Sequence, residues 1–150
     1  MKADVLHDLQ RFREAIACFD EILAAEISDI AYANKGLAHW ELKEFKLALQ
    51  SYLEAIRLNP ANAIAQRGAA EMHIKLDAPK SALPFLNRAL KLNPDYQEAY
   101  RCLGIAHFQL GSWGEAYKYL KKALQLDPKD GLAKRGLVLI DKHIEEEEAR

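Results

Sequence analysis

Three histidines, His39, His73 and His107, stand 34 residues apart, and imidazole is the side chain best suited to hold a metal or move a proton near neutral pH. Their spacing argues against a shared metal. Equivalent positions in adjacent helical repeats are separated by two helix-packing distances of about 8–10 Å each, while a zinc ion needs every nitrogen within about 2.1 Å. We therefore read these histidines as packing residues between helices. Three arginines, Arg67, Arg101 and Arg135, recur at the same interval. A guanidinium offers a planar fork of donors to a carboxylate or phosphate, so such a row suits an extended acidic peptide. The sequence carries no nucleophile elbow, phosphate-binding loop, zinc-protease pair or dinucleotide-binding glycine motif. Neither enzymatic activity, nor a cofactor, nor a metal is expected.

The elements that must carry these rows follow from the same period. Leu58-Asn59-Pro60, Leu92-Asn93-Pro94 and Leu126-Asp127-Pro128 repeat every 34 residues, as do Ala48, Ala82 and Ala116, and Ala55, Ala89 and Ala123. A fixed period of this length marks a stack of supersecondary units. Three gapless units result, 29–62, 63–96 and 97–130. Each reads as two amphipathic helices, apolar at i, i+3, i+4 and i+7. In the last unit helix A lies near Gln97 to Leu110 and helix B near Trp113 to Leu126, with Gly111 ending the first and Ser112 capping the second. The alanines suit close helix crossings, and the proline after each helix B separates one unit from the next.

At these residues the chain resembles the tetratricopeptide repeat family, over almost everything from Phe12 to Asp130. The last unit supplies Tyr100, Leu103, Gly104, His107, Ala116, Leu120, Ala123 and Pro128 at the family's signature positions. The unit from 29 supplies Tyr32, Gly36, Ala48, Tyr52, Ala55 and Pro60, with Lys35 in place of the expected Leu. The unit from 63 departs most, with Gln66, Ala69 and Ala70 at its helix A positions. The resemblance implies an all-α, right-handed superhelical solenoid of antiparallel helix pairs forming one domain: a partial repeat over 1–28, the three full repeats, and a C-terminal cap helix over 131–150. The partial repeat is expected to begin within a helix A and to have its helix B over Phe12 to Phe19. The cap helix ends in the run Glu145 to Glu148, read as a solvated helix end.

The resemblance also implies a concave groove lined by the A helices. Its expected binding residues are Leu37, Trp40, Arg67, Glu71, Ile74, Arg101, Ile105, Phe108, Arg135 and Leu139. The function this implies is a protein- or peptide-binding scaffold or adaptor whose partner carries acidic and apolar residues. In the competing reading some of the apolar residues pack between helices, and Glu71 and Glu98 neutralise the arginines. The family's clamp for the C-terminal carboxylate of Hsp70 or Hsp90 needs Lys, Asn, Asn, Lys and Arg where this chain has Ala33, Leu37, Gly68, Glu98 and Cys102. A chaperone-tail partner is accordingly not expected.

Composition sets the remaining bounds. Half the residues are hydrophobic, enough for a core, and 21 basic against 22 acidic side chains give a formal net charge of -1. That balance argues against nucleic acid as the partner of the arginine row. No stretch is apolar enough to span a membrane and the N-terminus has no signal-peptide core, so the expected compartment is cytoplasmic. Cys18 and Cys102 lack metal-ligand spacing and are read as reduced packing residues. The incomplete first repeat predicts an apolar edge, and with it a second reading, self-assembly into a homo-oligomer. Finally, Pro84 falls inside a helix B and predicts a kink or a frayed first turn.

Overall fold

The chain was described as a computed structural model covering residues 2–150, with side chains from Asp8 onward. The described residues form eight helices: α1 Lys2–Ala25, α2 Asp29–Glu41, α3 Phe45–Leu58, α4 Ala63–Lys75, α5 Pro79–Leu92, α6 Gln97–Gln109, α7 Trp113–Leu126 and α8 Gly131–Glu148. Each helix packs on the next in sequence. Among more distant pairs, only α2 with α4, α4 with α6, and α6 with α8 also touch. One layer, α2, α4, α6 and α8, is thus continuous from repeat to repeat, while α3, α5 and α7 do not meet one another. A stack whose one layer is close and whose other layer is splayed curves toward the close one, so the A helices line the inner face.

Alanines and glycines set the separation of the layers. Ala48, Ala82, Ala116, Ala55, Ala89 and Ala123 on the B helices, and Ala65, Ala99 and Ala133 on the A helices, are all fully buried. Between them one large B-helix side chain per repeat forms a wedge. Tyr52 fits against Gly36 of its own repeat and Gly68 of the next, and Leu120 against Gly104 and Gly136. At the same repeat position Leu86 is fully buried in a cluster with Ala70 and Cys102. The unit from 63, the poorest match to the signature, therefore keeps the packing with alanine and cysteine in the glycine places. Its Gln66 is fully buried and donates from Nε2 to the Pro60 carbonyl at 3.0 Å.

The turn between A and B helices is the same in all three repeats. Lys43, Asp77 and Gly111 adopt positive φ (59°, 59° and 73°). The N–H groups of Glu44, Ala78 and Ser112 return to the carbonyls of His39, His73 and His107 at 2.8–2.9 Å, and those of Lys43, Asp77 and Gly111 to Trp40, Ile74 and Phe108. Both bonds together make the Schellman C-cap, which satisfies carbonyls that the helix leaves open. Ser112 does not cap α7 through its hydroxyl as the sequence suggests; its side chain makes no capping bond.

Two further expectations change. Residues 2–25 form one continuous helix, with no turn before Phe12, so no separate helix A remnant precedes the first B-type helix. Pro84 does not fray α5: the helix is assigned from Pro79 through Leu92, and the Ser81 N–H reaches the Ala78 carbonyl at 3.1 Å. Only the Lys80 carbonyl, the acceptor four residues before Pro84, loses its donor, and Pro84 itself is exposed.

Candidate ligand groove

The inner face is positioned by N-caps that also join one repeat to the next. Asn62 accepts the Ala65 N–H at 2.9 Å and donates from Nδ2 to Asp29, the first residue of α2, at 2.9 Å; Asn59 donates to the same Asp29 oxygen at 3.0 Å. These two amide donors hold the Asp29 carboxyl below its ordinary value. Asp130 caps α8, accepting from Leu132 and Ala133, and takes Nη1 of Arg101 at 3.0 Å and the Gln97 amide on its other oxygen. Burial alone would push the Asp130 carboxyl up. The Ala133 N–H, the Arg101 charge and the Gln97 amide together outweigh it and hold the carboxyl low.

This linkage decides what the arginine row can do. Arg67 donates from Nε to the Tyr96 hydroxyl at 3.3 Å and from Nη1 to Glu71 at 2.6 Å. Tyr96 and Asp130 close repeats two and three, each 29 residues after the arginine it meets. Arg67 and Arg101 thus fasten the end of a repeat to its own helix A, and both are mostly buried. Burial disfavours the Arg67 charge, but the Tyr96 hydroxyl and Glu71 outweigh it and raise its basicity further. Arg135 is exposed and pairs with none of the described residues. The anticipated three-arginine stripe is one free guanidinium and two engaged ones, and the acid that neutralises Arg101 is Asp130 rather than Glu98.

The apolar candidates divide in the same way. Ile74 is only 6% exposed and belongs to the core between α4 and α6, so its side chain has almost no surface to offer. Trp40, Ile105 and Phe108 are half-buried against core clusters, Phe108 standing edge-on to Trp113 with ring centroids 5.0 Å apart. Leu37 (45%) and Leu139 (53%) remain open, as do Ile30, Ile64 and Leu132 in a row at the start of α2, α4 and α8. Glu71 is occupied by Arg67. Tyr96 and Asp130 were missed as participants, although the 29-residue interval to an arginine is visible in the sequence.

The periodic histidines each do something local. His39 Nδ1 is 2.7 Å from Glu44, while His73 stacks on Phe85 and His107 on Tyr119, with centroids 5.5 and 5.4 Å apart. Burial lowers the His73 pKa. All three face the B helix of their own repeat. Of the cysteines, Cys102 is buried, which pushes its thiol up to about 12, whereas Cys18 is exposed. No helix among the described residues is long and apolar enough to cross a membrane.

At the five positions of the chaperone-tail clamp, Ala33 and Cys102 are buried and Gly68 lies under the Tyr52 ring, while Leu37 and Glu98 present an apolar group and an acid. Among solved structures, the first TPR of Spaghetti (RPAP3), bound to the HSP90 peptide SRMEEVD, is 25% identical with a TM-score of 0.73, covering 78% of this chain and 93% of that one. The Arabidopsis OM64 TPR domain is 29% identical with a TM-score of 0.73, over 77% and 95%. MamA 41-end from Desulfovibrio magneticus RS-1, at 20% identity, shares the fold over 99% of this chain and 85% of its own with a TM-score of 0.82. No curated protein matches the chain. Family models described as tetratricopeptide repeat match residues 1–63, 34–96 and 97–130. With the solenoid packing, the wedge against small residues and these matches, the chain belongs to the tetratricopeptide repeat family.

Proposed function

We propose that the chain is a protein-binding scaffold that holds a segment of a partner protein along the inner face of its A helices. The observation that carries this reading is the set of open apolar side chains on that face, Ile30, Leu37, Ile64, Leu132 and Leu139, which the fold leaves uncovered. Covering such side chains with a partner removes apolar area from water, worth about 25 cal/mol per Å² before the costs of association. Likeness to a TPR with a peptide bound supports it. The partner segment is mainly apolar, with an acidic residue to meet Arg135, since Arg67 and Arg101 already have partners within the fold. With Gly68 and Cys102 buried at clamp positions, the segment is not a chaperone tail held by its terminal carboxylate. The reading is non-enzymatic.

The test compares capture by wild type with capture by Leu37→Glu, Leu139→Glu and Arg135→Glu variants whose helicity by circular dichroism is unchanged. A partner identified by mass spectrometry is then made recombinantly and titrated by calorimetry. Loss of at least about tenfold in affinity for the leucine variants, and less for Arg135→Glu, supports the groove. Equal affinity for all four proteins removes it.

A further inference from the structure

On the outer layer the first and third repeats carry the same cleft, between helix A and helix B, with different chemistry. In the first, Tyr32 and Lys35 of α2 and Gln50, Leu53 and Glu54 of α3 are among its lining. In the third, Tyr100 of α6 meets Lys118, Tyr119, Lys121, Lys122 and Gln125 of α7. Lys118, Lys121 and Lys122 thus stand where Gln50, Leu53 and Glu54 stand two repeats earlier. Ala48 and Ala55 on α3 and Ala116 and Ala123 on α7 are alike fully buried, so the packing does not call for lysine there.

The two clefts also differ in what stands across from them. In the first repeat the preceding helix supplies an acid: Asp20 of α1 meets the Lys35 ammonium at 2.6 Å. In the third repeat the preceding outer helix is α5. Its Phe85 stacks on His73 of α4, so the opposite flank, with Leu83 and Leu90, faces α6, and Lys80 and Lys91 stand beside that flank on the side toward α7. Helix α5 carries Lys80, Arg88 and Lys91 and no acid, and α7 carries three lysines and Glu115. Six cations thus face one carboxylate, in a chain whose formal net charge is -1. Lys118 pairs with Glu115 at 3.8 Å; the other five have no ion pair among the described residues.

We propose that the gap between α5 and α7 binds an extended acidic segment of a partner protein, at a site separate from the inner groove. The acid that α1 supplies in the first repeat comes here from outside the chain. Carboxylates fit this cleft better than nucleobases do, because the ring faces on which a base would stack are taken. Tyr119 has His107 stacked on it at 5.4 Å and the Lys118 ammonium 5.5 Å from its centre. Tyr100 has Tyr119 at 6.5 Å and the Lys122 ammonium at 5.9 Å. An ammonium held over a ring keeps donors free for a carboxylate. Tyr119 and Lys122 are half-buried; a chain laid in the cleft reaches them and a flat bilayer does not.

Fluorescence anisotropy of the whole chain with a labelled oligoglutamate peptide tests the proposal. Wild type binds the peptide, and more weakly as salt rises. A variant combining Lys91→Gln, Lys118→Gln and Lys122→Gln, its helicity by circular dichroism unchanged, binds at least about tenfold more weakly. Arginine at the same three positions keeps the charge and the binding. Leu37→Glu, in the inner groove, binds the peptide as wild type does, which separates the two sites. No binding by wild type, equal affinity for the glutamine variant, or a matching loss in Leu37→Glu overturns the proposal. Tighter binding of a labelled oligouridylate, or of phosphatidylserine vesicles, than of the peptide also overturns it.

Discussion

The ring of Tyr52 lies against Gly68 so closely that a β-carbon there would stand 2.6 Å from Cε1 and Cζ. The ring has Gly36 on its other flank, at 2.9 Å by the same measure. One aromatic side chain thus sets the distance both within a repeat and between repeats. The expected outcome for Gly68→Ala is a loss of about 1–3 kcal/mol, because the ring is held from two sides and cannot retreat. Equilibrium urea unfolding measures it, with Gly114→Ala as the comparison: nothing lies within 4 Å of a β-carbon at Gly114, and that variant is no less stable than wild type.

The repeat frame, the helix pairs and the wedge positions were legible in the sequence because they depend on side-chain size at a fixed period, and size is written in each residue type. Engagement of the arginines was less legible. Arg67 and Arg135 occupy the same repeat position, yet Arg67 is fastened by Tyr96 and Glu71 and Arg135 is open. The difference lies in what closes each repeat, a residue far along the chain. The burial of Ile74 beside the exposure of Leu37 likewise depends on neighbours across the stack. The long α1 was misread because Phe12 to Phe19 has a B-helix pattern, and nothing in that pattern says whether the preceding residues turn.

Charge reversal separates the two kinds of arginine. Arg101→Glu puts a carboxylate beside Asp130, whose side chain is 3% exposed, and is expected to cost about 2–4 kcal/mol. Arg135→Glu is expected to stay within about 0.5 kcal/mol of wild type. The urea midpoints of the two variants check this; similar midpoints would show that Asp130 does not depend on Arg101.

Two of the three A–B turns place a residue with a β-carbon in the left-handed region, Lys43 and Asp77, where the third has Gly111. Left-handed geometry costs a non-glycine residue about 1 kcal/mol, partly offset by the greater freedom of glycine in the unfolded chain. Asp77→Gly is therefore expected to raise stability by about 0.5–1 kcal/mol, as is Lys43→Gly. Thermal unfolding followed at 222 nm gives the sign, and a lowered midpoint for both variants would mean that the unfolded-state term is the larger.

Pro84 leaves the Lys80 carbonyl without its helical donor on an exposed face of α5. Because the helix is otherwise unbroken, Pro84→Ala restores a bond without disturbing packing. A gain of about 1–3 kcal/mol is expected. An unchanged melting temperature would indicate that water already serves that carbonyl and that the proline adds no strain.

Acid lability should concentrate at the caps that join repeats. Asp29 and Asp130 both have carboxyls held below the ordinary value of 3.8, the first mainly by amide donors, the second by the Ala133 N–H and Arg101 against the opposing effect of burial. A depressed carboxyl stabilises the fold fully above its unfolded pKa, and that contribution is lost as pH falls from there through the folded value. Stability contributed by these groups is therefore complete at neutral pH and declines below about pH 4. Asp130→Ala removes the α8 cap and the Arg101 partner together, so it is expected to lower stability at pH 7 by about 2–4 kcal/mol and to flatten the acid limb of the stability curve. Unfolding free energies of wild type and variant measured from pH 7 down to pH 3 should converge as the acid is protonated; parallel curves would place the acid sensitivity elsewhere in the stack.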